Sequence, residues 1–380
     1  MYSIRVDGNL IYAPPVVNDG YIAYNGTVKK ELNKVDSCEF TIPTTGVGYD
    51  LIKKHTSVVT VYNNDEKIFH GRCLNYSKDF YNQRKFYCEG ELGYLNDSIL
   101  RPYAFSAEMG GQPDTPGNIF RYYIERHNEV VDAKKRFVVG DISTMQSENI
   151  VRESSQYPTT LTELQEKLLE NYGGYVVPRY VGDSIYLDYK SVSGTDNGQI
   201  IQFGKNLLDL EEFVDAGDVR TVLIPIGGTV EGTDEPLTIK SVNDGLDYLE
   251  SATAIALFGR IEECETWSDI HSADLLKTTG QAKLNQLVKE AITLNLSAID
   301  LSMLDVDADR IRVGQYNRVL SVPHGIDDYF QCSRMVLNLS DPKRNEYTFG
   351  NPKNRISEQV AAIRNSKAIS TTDISAIIGG

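Results

Sequence analysis

With 380 residues, the chain is longer than one hydrophobic core usually supports, so we expect two to four domains. Its formal net charge of -15 argues against sequence-specific nucleic-acid binding, because that affinity comes chiefly from Lys and Arg side chains. Hydrophobic residues make up 41% of the chain and charged residues 24%, which excludes wholesale disorder. The 23 tyrosines, together with abundant Val, Ile and Thr, favour strands, so the sequence predicts a β-rich protein.

Five cysteines are an odd number and form no Cys-x-x-Cys pair, so neither a disulfide framework nor a zinc site is indicated. The N-terminus lacks the apolar core of a signal peptide, and no apolar run approaches the length of a membrane span. We therefore expect a protein that is made and folded in the cytoplasm and binds no cofactor.

The first segment, residues 1–97, consists of short alternating runs separated by turn residues. Ser57–Tyr62 and Lys67–His70 flank an Asn-Asn-Asp cluster, which predicts a hairpin because Asn and Asp tolerate turn conformations. This segment is predicted to be a β-barrel domain.

Residues 98–200 are predicted to form a small inserted α+β domain. Thr115-Pro116 predicts a helix start, with a cap residue followed by proline at the first helical position. A second helix is predicted from Thr160, with Glu163 completing a capping box and Gly173 marking the end. Short strands lie between and after these helices.

Strands return in residues 201–350, which are predicted to form a second β-barrel domain with one long helix, from Ser272 to Glu290. Gly280 weakens the middle of that helix, and the strictly alternating run Ile292–Ser297 predicts a half-buried strand. Residues 351–380 are predicted to form a C-terminal helix and tail. Three apolar residues of this helix are candidates for binding a partner, or for packing on their own domain: Val360, Ile363 and Ile369.

Two patterns resemble ligand sites but lack residues that such sites require. Asp305, Asp307 and Asp309 occupy the first three ligand positions of a calcium loop, but Arg310 and Tyr316 stand where Gly and Glu are needed. The glycine pairs Gly46–Gly48 and Gly227-Gly228 lack the residues of a phosphate-binding loop and are interpreted as a turn and a strand end. No metal site is predicted.

No histidine, cysteine or carboxylate pattern in the sequence is specific for a catalytic site. None of the histidines lies in a His-Glu-x-x-His motif, and a thiolate pair of Cys88 with His127 or His324 would need a proximity that the sequence does not show. The adjacent carboxylates Glu262-Glu263 and Asp327-Asp328 are typical of solvated acidic surfaces. No catalytic residue is predicted.

A series of segments spans nearly the whole chain and resembles the hub family of phage tails, also called tail-associated proteins or prophage tail endopeptidases. The most specific segment is KFYCEGELGYLNDSILRPY, Lys85–Tyr103. Others are IFHGRCLNYSKDF (68–80), YIERHNEVVDAKKRFVVGDI (123–142), TVLIPIGG, SVNDGLDYLESATAIALFGRIEEC (241–264) and a final block, 311–350.

The resemblance implies two tail-tube-like barrels around an insert, so that a homotrimer imitates a six-membered ring. It implies partners in the distal tail protein ring, the tail tube, the tape measure protein and fibre or receptor-binding proteins. DNA would pass through the channel at the virion tail tip. Two alternatives stay open: a peptidoglycan-degrading tail endopeptidase, and a receptor-binding tail tip protein. No residue of this chain matches a catalytic position, and kinship of fold licenses no activity.

Overall fold

A computed structural model describes residues 2–14, 20–107, 110–143, 149–182, 184–190, 196–214, 219–230, 232–233, 235–268, 270–289, 292–304 and 308–352. In these ranges the protein is β-rich with few helices, as the composition predicts. The predicted C-terminal helix and its residues Val360, Ile363 and Ile369 lie outside the described ranges, as do Asp305 and Asp307.

The strands in chain order are β1 Tyr2–Val6, β2 Asn9–Tyr12, β3 Tyr24–Glu31, β4 Ser37–Ile42, β5 Val58–Asn63, β6 Glu66–Lys78, β7 Arg84–Gly90, β8 Tyr103–Phe105, β9 Phe137–Ser143, β10 Arg152–Ser154, β11 Tyr175–Val181, β12 Ser184–Lys190, β13 Asp196–Gln202, β14 Leu207–Val214, β15 Val222–Thr229, β16 Pro236–Thr238, β17 Leu249–Glu250, β18 Glu262–Trp267, β19 Ile292–Ala298, β20 Tyr316–Ser321, β21 Ile326–Asn338 and β22 Glu346–Pro352. The α-helices are α1 Pro116–Val130, α2 Thr160–Thr162, α3 Glu170–Tyr172, α4 Ala252–Phe258 and α5 Ala273–Lys289. A π-helical turn, Glu163–Leu169, joins α2 to α3, and a 3-10 helix covers Glu91–Asp97.

The largest sheet is a half-barrel with the strand order β14-β19-β22-β21-β3-β4-β7-β6-β5-β1-β2. The strands from β21 to β2 pair antiparallel with their neighbours. On β4 every second residue is buried, so one face packs a core that includes Cys38, Phe40 and Ile42. Phe40 stacks on Phe86 of β7 at a ring distance of 5.6 Å.

The chain divides into two compact units. The first contains Met1–Glu211, Asn295–Asn317 and Cys332–Phe349, and the second contains Glu212–Leu294, Arg318–Gln331 and the described residues from Gly350. In the first unit, β11, β12 and β9 form a small sheet in which β12 and β9 run parallel. Phe120 of α1 packs against Tyr189 of this sheet at 5.2 Å. The predicted boundaries at residues 97, 200 and 350, and the pairing of two barrels, stay predictions.

In the second unit, β15 pairs with β16, β17 and β18, and α5 packs on this sheet. A Cβ atom on Gly280 would lie 3.1 Å from Leu249 and from Pro225. The glycine that weakens α5 therefore lets the helix approach the sheet closely.

Most elements predicted from the pattern are present. The predicted hairpin is β5 and β6, paired from Val58↔Arg72 to Asn63↔Glu66, with Asn64 at a φ of 53° in the turn. Helix α1 begins at Pro116 with Thr115 as its cap, and α5 and β19 lie within a residue of their predicted limits.

The predicted capping box at Thr160 is wrong. The cap of this helix is Thr159, whose side-chain oxygen accepts a hydrogen bond from the Thr162 backbone N–H at 3.1 Å. Glu163 does not turn back to the cap, because its carboxylate is buried in a network with Tyr103 and Arg152. The helix ends where predicted, at Gly173, with a φ of 74°.

Candidate functional site

Cys88 lies on β7 and is buried among other cysteines, with Cys38 on β4 and Cys73 on β6 as its partners in register. All five cysteines are free thiols. A hydrogen bond with Cys73 and burial raise the pKa of Cys88 well above its ordinary value. A thiol that keeps its proton is a poor nucleophile, so this position does not suit cysteine-peptidase chemistry.

The two histidines considered as its partners have local contacts of their own. The imidazole of His127 is buried on α1, with Nδ1 2.7 Å from the Ser98 hydroxyl and Nε2 3.0 Å from the Lys135 carbonyl oxygen. Burial lowers its pKa. His324 has Nδ1 2.6 Å from the hydroxyl of Ser321, in the same turn. Both contacts are typical of structural histidines.

The adjacent carboxylates form ion pairs with arginines near the surface. Glu262 pairs with Arg260 at 2.8 Å, and Asp327 accepts two hydrogen bonds from Arg318, at 2.7 and 2.9 Å. The Glu263 carboxylate likewise lies 2.8 Å from Arg220. The interpretation as a solvated acidic surface therefore fits better than a pair of glycosidase carboxylates.

A cleft of about 910 Å³ opens within the first unit. Its walls come mainly from four stretches of chain, which are 30–36 from the end of β3, 62–68 at the β5–β6 turn, 176–182 on β11, and 310–315, and Glu91 and Asp188 also line it. Both charge signs line it, and several of these charges form ion pairs with one another. Arg179 donates to both oxygens of Asp188 at 3.0 Å, and Arg312 lies 3.1 Å from Glu66.

Glu91 is a buried ionisable residue of this cleft, with 2% of its surface exposed. Tyr180 donates a hydrogen bond to its Oε1 at 2.5 Å, and Oε2 has no hydrogen-bond partner in the part of the chain that the structure describes. Burial, and then the charge of Asp36, raise the pKa of Glu91 to about 7. Near neutral pH the carboxyl group is therefore divided between its charged and neutral forms.

Asp36 and Lys30 form an ion pair at 2.9 Å beside Glu91. Burial raises the pKa of Asp36, while the ammonium group of Lys30 opposes that rise. The Lys67 ammonium group lies 4.7 Å from the centre of the Tyr180 ring, and the His70 ring lies 5.9 Å from it. The cleft can therefore hold a proton on Glu91 near neutral pH.

A second buried network lies where α1 packs on the π-helical turn. The hydroxyls of Tyr103 and Tyr123 are 2.5 Å apart, and Tyr103 donates to Glu163 at 2.5 Å. Arg152 pairs with the same carboxylate, and both side chains are at least nine-tenths buried. Because its charged groups are paired and hydrogen-bonded, the network suits a structural role.

Neither Glu91 nor Tyr180 was singled out from the sequence. A single glutamate before a short apolar run carries no periodic signal, and its partner lies 89 residues away. Over the described ranges, no group of three or more His, Cys, Asp or Glu side chains is arranged to hold a metal ion. Among those residues no helix is long and apolar enough to span a membrane.

Comparison with known proteins finds a family match over part of the chain. Residues 195–360 match the family described as prophage endopeptidase tail. The predicted family resemblance is confirmed. No curated protein matches the chain significantly.

Solved phage tail proteins share the fold. A tail protein from Neisseria meningitidis MC58 has a TM-score of 0.63 at 13% identity, over 93% of this chain and 97% of its own. Prophage tail protein gp18 from Listeria monocytogenes EGD-e has a TM-score of 0.59 at 16% identity, over 90% and 92%.

A third similar structure is a component of the type VI secretion system from E. coli, which is itself similar to the T4 bacteriophage tail proteins gp27 and gp5. It has a TM-score of 0.52 at 10% identity, over 93% of this chain and 77% of its own. These structures show that the chain shares their fold.

Proposed function

We propose that this tail-associated protein is a non-enzymatic hub, which forms a trimeric cap at the distal end of the tail tube, nucleates the baseplate and opens for DNA passage. The observation that carries the proposal is the family match over residues 195–360, joined to a fold shared with phage tail proteins along nine-tenths of the chain. The half-barrel sheet supports the proposal, because a domain with barrel-like curvature can stack on the end of the tail tube.

The proposed partners are two further copies of the chain, the distal tail protein ring, the tail tube, the tape measure protein and fibre or receptor-binding proteins. The hub would be assembled in the host cytoplasm and would reside at the virion tail tip. The charge of -15 suits a channel lining that DNA slides through, because like charges repel.

The family name raises a second candidate, a peptidoglycan-degrading tail endopeptidase. The geometry argues against it at the positions considered, since Cys88 is buried and protonated and His127 and His324 are held in local contacts. A receptor-binding tip is the third candidate. Its support is the tyrosine content alone.

Electron microscopy of the full-length chain, alone and mixed with the distal tail protein of the same phage, tests the hub. We expect threefold rings whose mass is three times the 42.5 kDa of one chain, and stacking of those rings on the distal tail ring. Monomers that form no ring at any concentration, with or without the tail partner, would contradict the proposal.

A further inference from the structure

Three buried cysteines lie side by side on the large sheet of the first unit. Cys88 of β7 is in register with Cys38 on β4 and with Cys73 on β6, and all three residues have an exposed fraction of 0%. Residues directly opposite each other in an antiparallel pair point to the same face of the sheet. The three thiols therefore form a row across adjacent strands, which we call the thiol row.

The register of Cys73 and Cys88 suits a disulfide bond. Opposite residues of antiparallel strands have Cα atoms about 4.5 or 5.5 Å apart, and a disulfide spans Cα distances of about 4.4–6.8 Å. The two thiols already contact each other, because Cys88 donates a hydrogen bond to the sulfur of Cys73. Bond formation therefore requires little movement of either strand.

Cys73 is the more reactive thiol of this pair. The hydrogen bond from Cys88 lowers the pKa of Cys73, as does the charge of Lys54, while burial opposes both. The same hydrogen bond, together with burial, raises the pKa of Cys88, and burial raises the pKa of Cys38. Since the thiolate is the nucleophile in sulfur chemistry, Cys73 reacts first and Cys88 supplies the second sulfur.

A surface loop borders Cys73. The backbone N–H of His55 donates to the carbonyl oxygen of Cys73 at 2.7 Å, and residues 53–56 are all exposed. Exposed loops open locally at a lower free energy than the core of a sheet. An oxidant little larger than water, such as hydrogen peroxide, can therefore reach this thiol while the loop is open.

We propose that Cys73 and Cys88 form a disulfide bond when the protein meets a peroxide outside the reducing cytoplasm. The Cys73 thiolate attacks one peroxide oxygen, the O–O bond breaks, and the leaving hydroxide takes up the proton that Cys73 lost. The products are a sulfenic acid and one water. The Cys88 sulfur then attacks the Cys73 sulfur, and the hydroxide that leaves takes the Cys88 proton as a second water. Two thiols are thus oxidised while one peroxide is reduced to two waters.

The bond closes a loop of about 15 residues and holds β6 and β7 together at the base of their hairpin. Thiols stay reduced in the cytoplasm, whereas disulfides persist in oxidising surroundings. A protein that leaves the host in a virion therefore gains the bond after release. The chemistry of the bond itself is independent of the hub proposal.

Thiol mapping of the full-length chain tests the bond. Cys264 is exposed, so Cys264→Ser provides a background in which this thiol does not join two chains. After the reductant is replaced by hydrogen peroxide, alkylation in denaturant and peptide mass spectrometry should find Cys73 linked to Cys88, with Cys38 and Cys332 alkylated. A bond between Cys38 and Cys88, or no bond in the thiol row after prolonged oxidation, would refute the proposal.

Two variants test the order of the steps in the same background. Cys88→Ala should stop the reaction at the Cys73 sulfenic acid, which dimedone labels. Cys38→Ala, the matched control from the other end of the thiol row, should still form the bond. Absence of dimedone label from Cys73 in a folded Cys88→Ala chain would overturn the assigned order. Mapping of the unsubstituted thiol row decides the bond even where a variant does not fold.

Urea unfolding measures what the bond does. The oxidised chain should have an unfolding equilibrium constant about 100-fold smaller than the reduced chain, and dithiothreitol should abolish the difference. Equal unfolding midpoints for the two forms would contradict the role of the bond in holding the hairpin. A chain that forms the bond but no ring would contradict the hub alone, and a trimer without the bond would contradict this inference alone.

Discussion

Glu91 lies in a cleft where burial and the nearby charge of Asp36 both oppose ionisation, so its pKa rises from 4.5 to about 7. The folded protein therefore binds this proton between about pH 4.5 and 7, whereas the unfolded chain releases it. Folding stability from this group is consequently largest at acidic pH and falls as the pH rises through that window. Glu91, which no sequence pattern marks, thus makes the folding stability depend on pH.

Glu91→Gln should remove this dependence. The amide keeps an oxygen for the Tyr180 hydroxyl but carries no charge, so the variant should be more stable than the native chain above pH 7, by roughly 1–3 kcal/mol. The difference should shrink towards pH 5. Urea unfolding followed from pH 5 to pH 8 measures it.

Glu129→Gln is the control, because the Glu129 side chain is 52% exposed on α1. It should follow the native pH profile. If Glu91→Gln also keeps the full native slope between pH 5 and 7, then Glu91 is not the group that titrates.

Among the elements, the β6–β7 hairpin depends on one residue that has no side chain. Gly71 pairs with Gly90, and a Cβ atom on Gly71 would lie 1.9 Å from the carbonyl oxygen of Glu89. No L-residue with a side chain fits there unless the two strands separate. The glycine pair therefore lets β6 and β7 run close together.

Gly71→Ala should destabilise the protein by about 1–3 kcal/mol, because the methyl group must displace backbone. Gly350→Ala is the matched control and should change stability little, because a Cβ atom there would have no neighbour within 4 Å among the described residues. Thermal unfolding of both variants measures the effect. Equal melting temperatures would show that the strands can separate at no cost.

Elements with a local signal were predictable, and contacts between distant residues were not. Thr115-Pro116 defines the start of α1 and the Asn-Asp turn defines the β5–β6 hairpin, because each is determined by adjacent residues. The capping box failed at Glu163, since a tertiary ion pair with Arg152 outweighed the local hydrogen bond. Glu91 was missed because its hydrogen-bond partner, Tyr180 on β11, is 89 residues away in the chain.

For the whole molecule, the question is whether the endopeptidase in the family name describes an activity of this chain. A hydrogen bond with Cys73 and burial raise the pKa of Cys88, and Glu262, Glu263 and Asp327 form ion pairs with arginines. We therefore expect no clearing of purified cell walls by the full-length protein in zymography. Clearing that disappears in Cys88→Ala or His127→Ala would overturn the hub proposal in favour of the enzyme.

The place of β21 beside β3 has a consequence for synthesis on the ribosome. Arg334 of β21 pairs with Glu31 of β3, so this edge of β3 stays unpaired until β21 is translated, about 300 residues later. At roughly 5–20 residues per second, that interval is on the order of tens of seconds. During it the nascent chain exposes an open strand edge, and chaperones that shield such edges should determine how much soluble protein a cell produces.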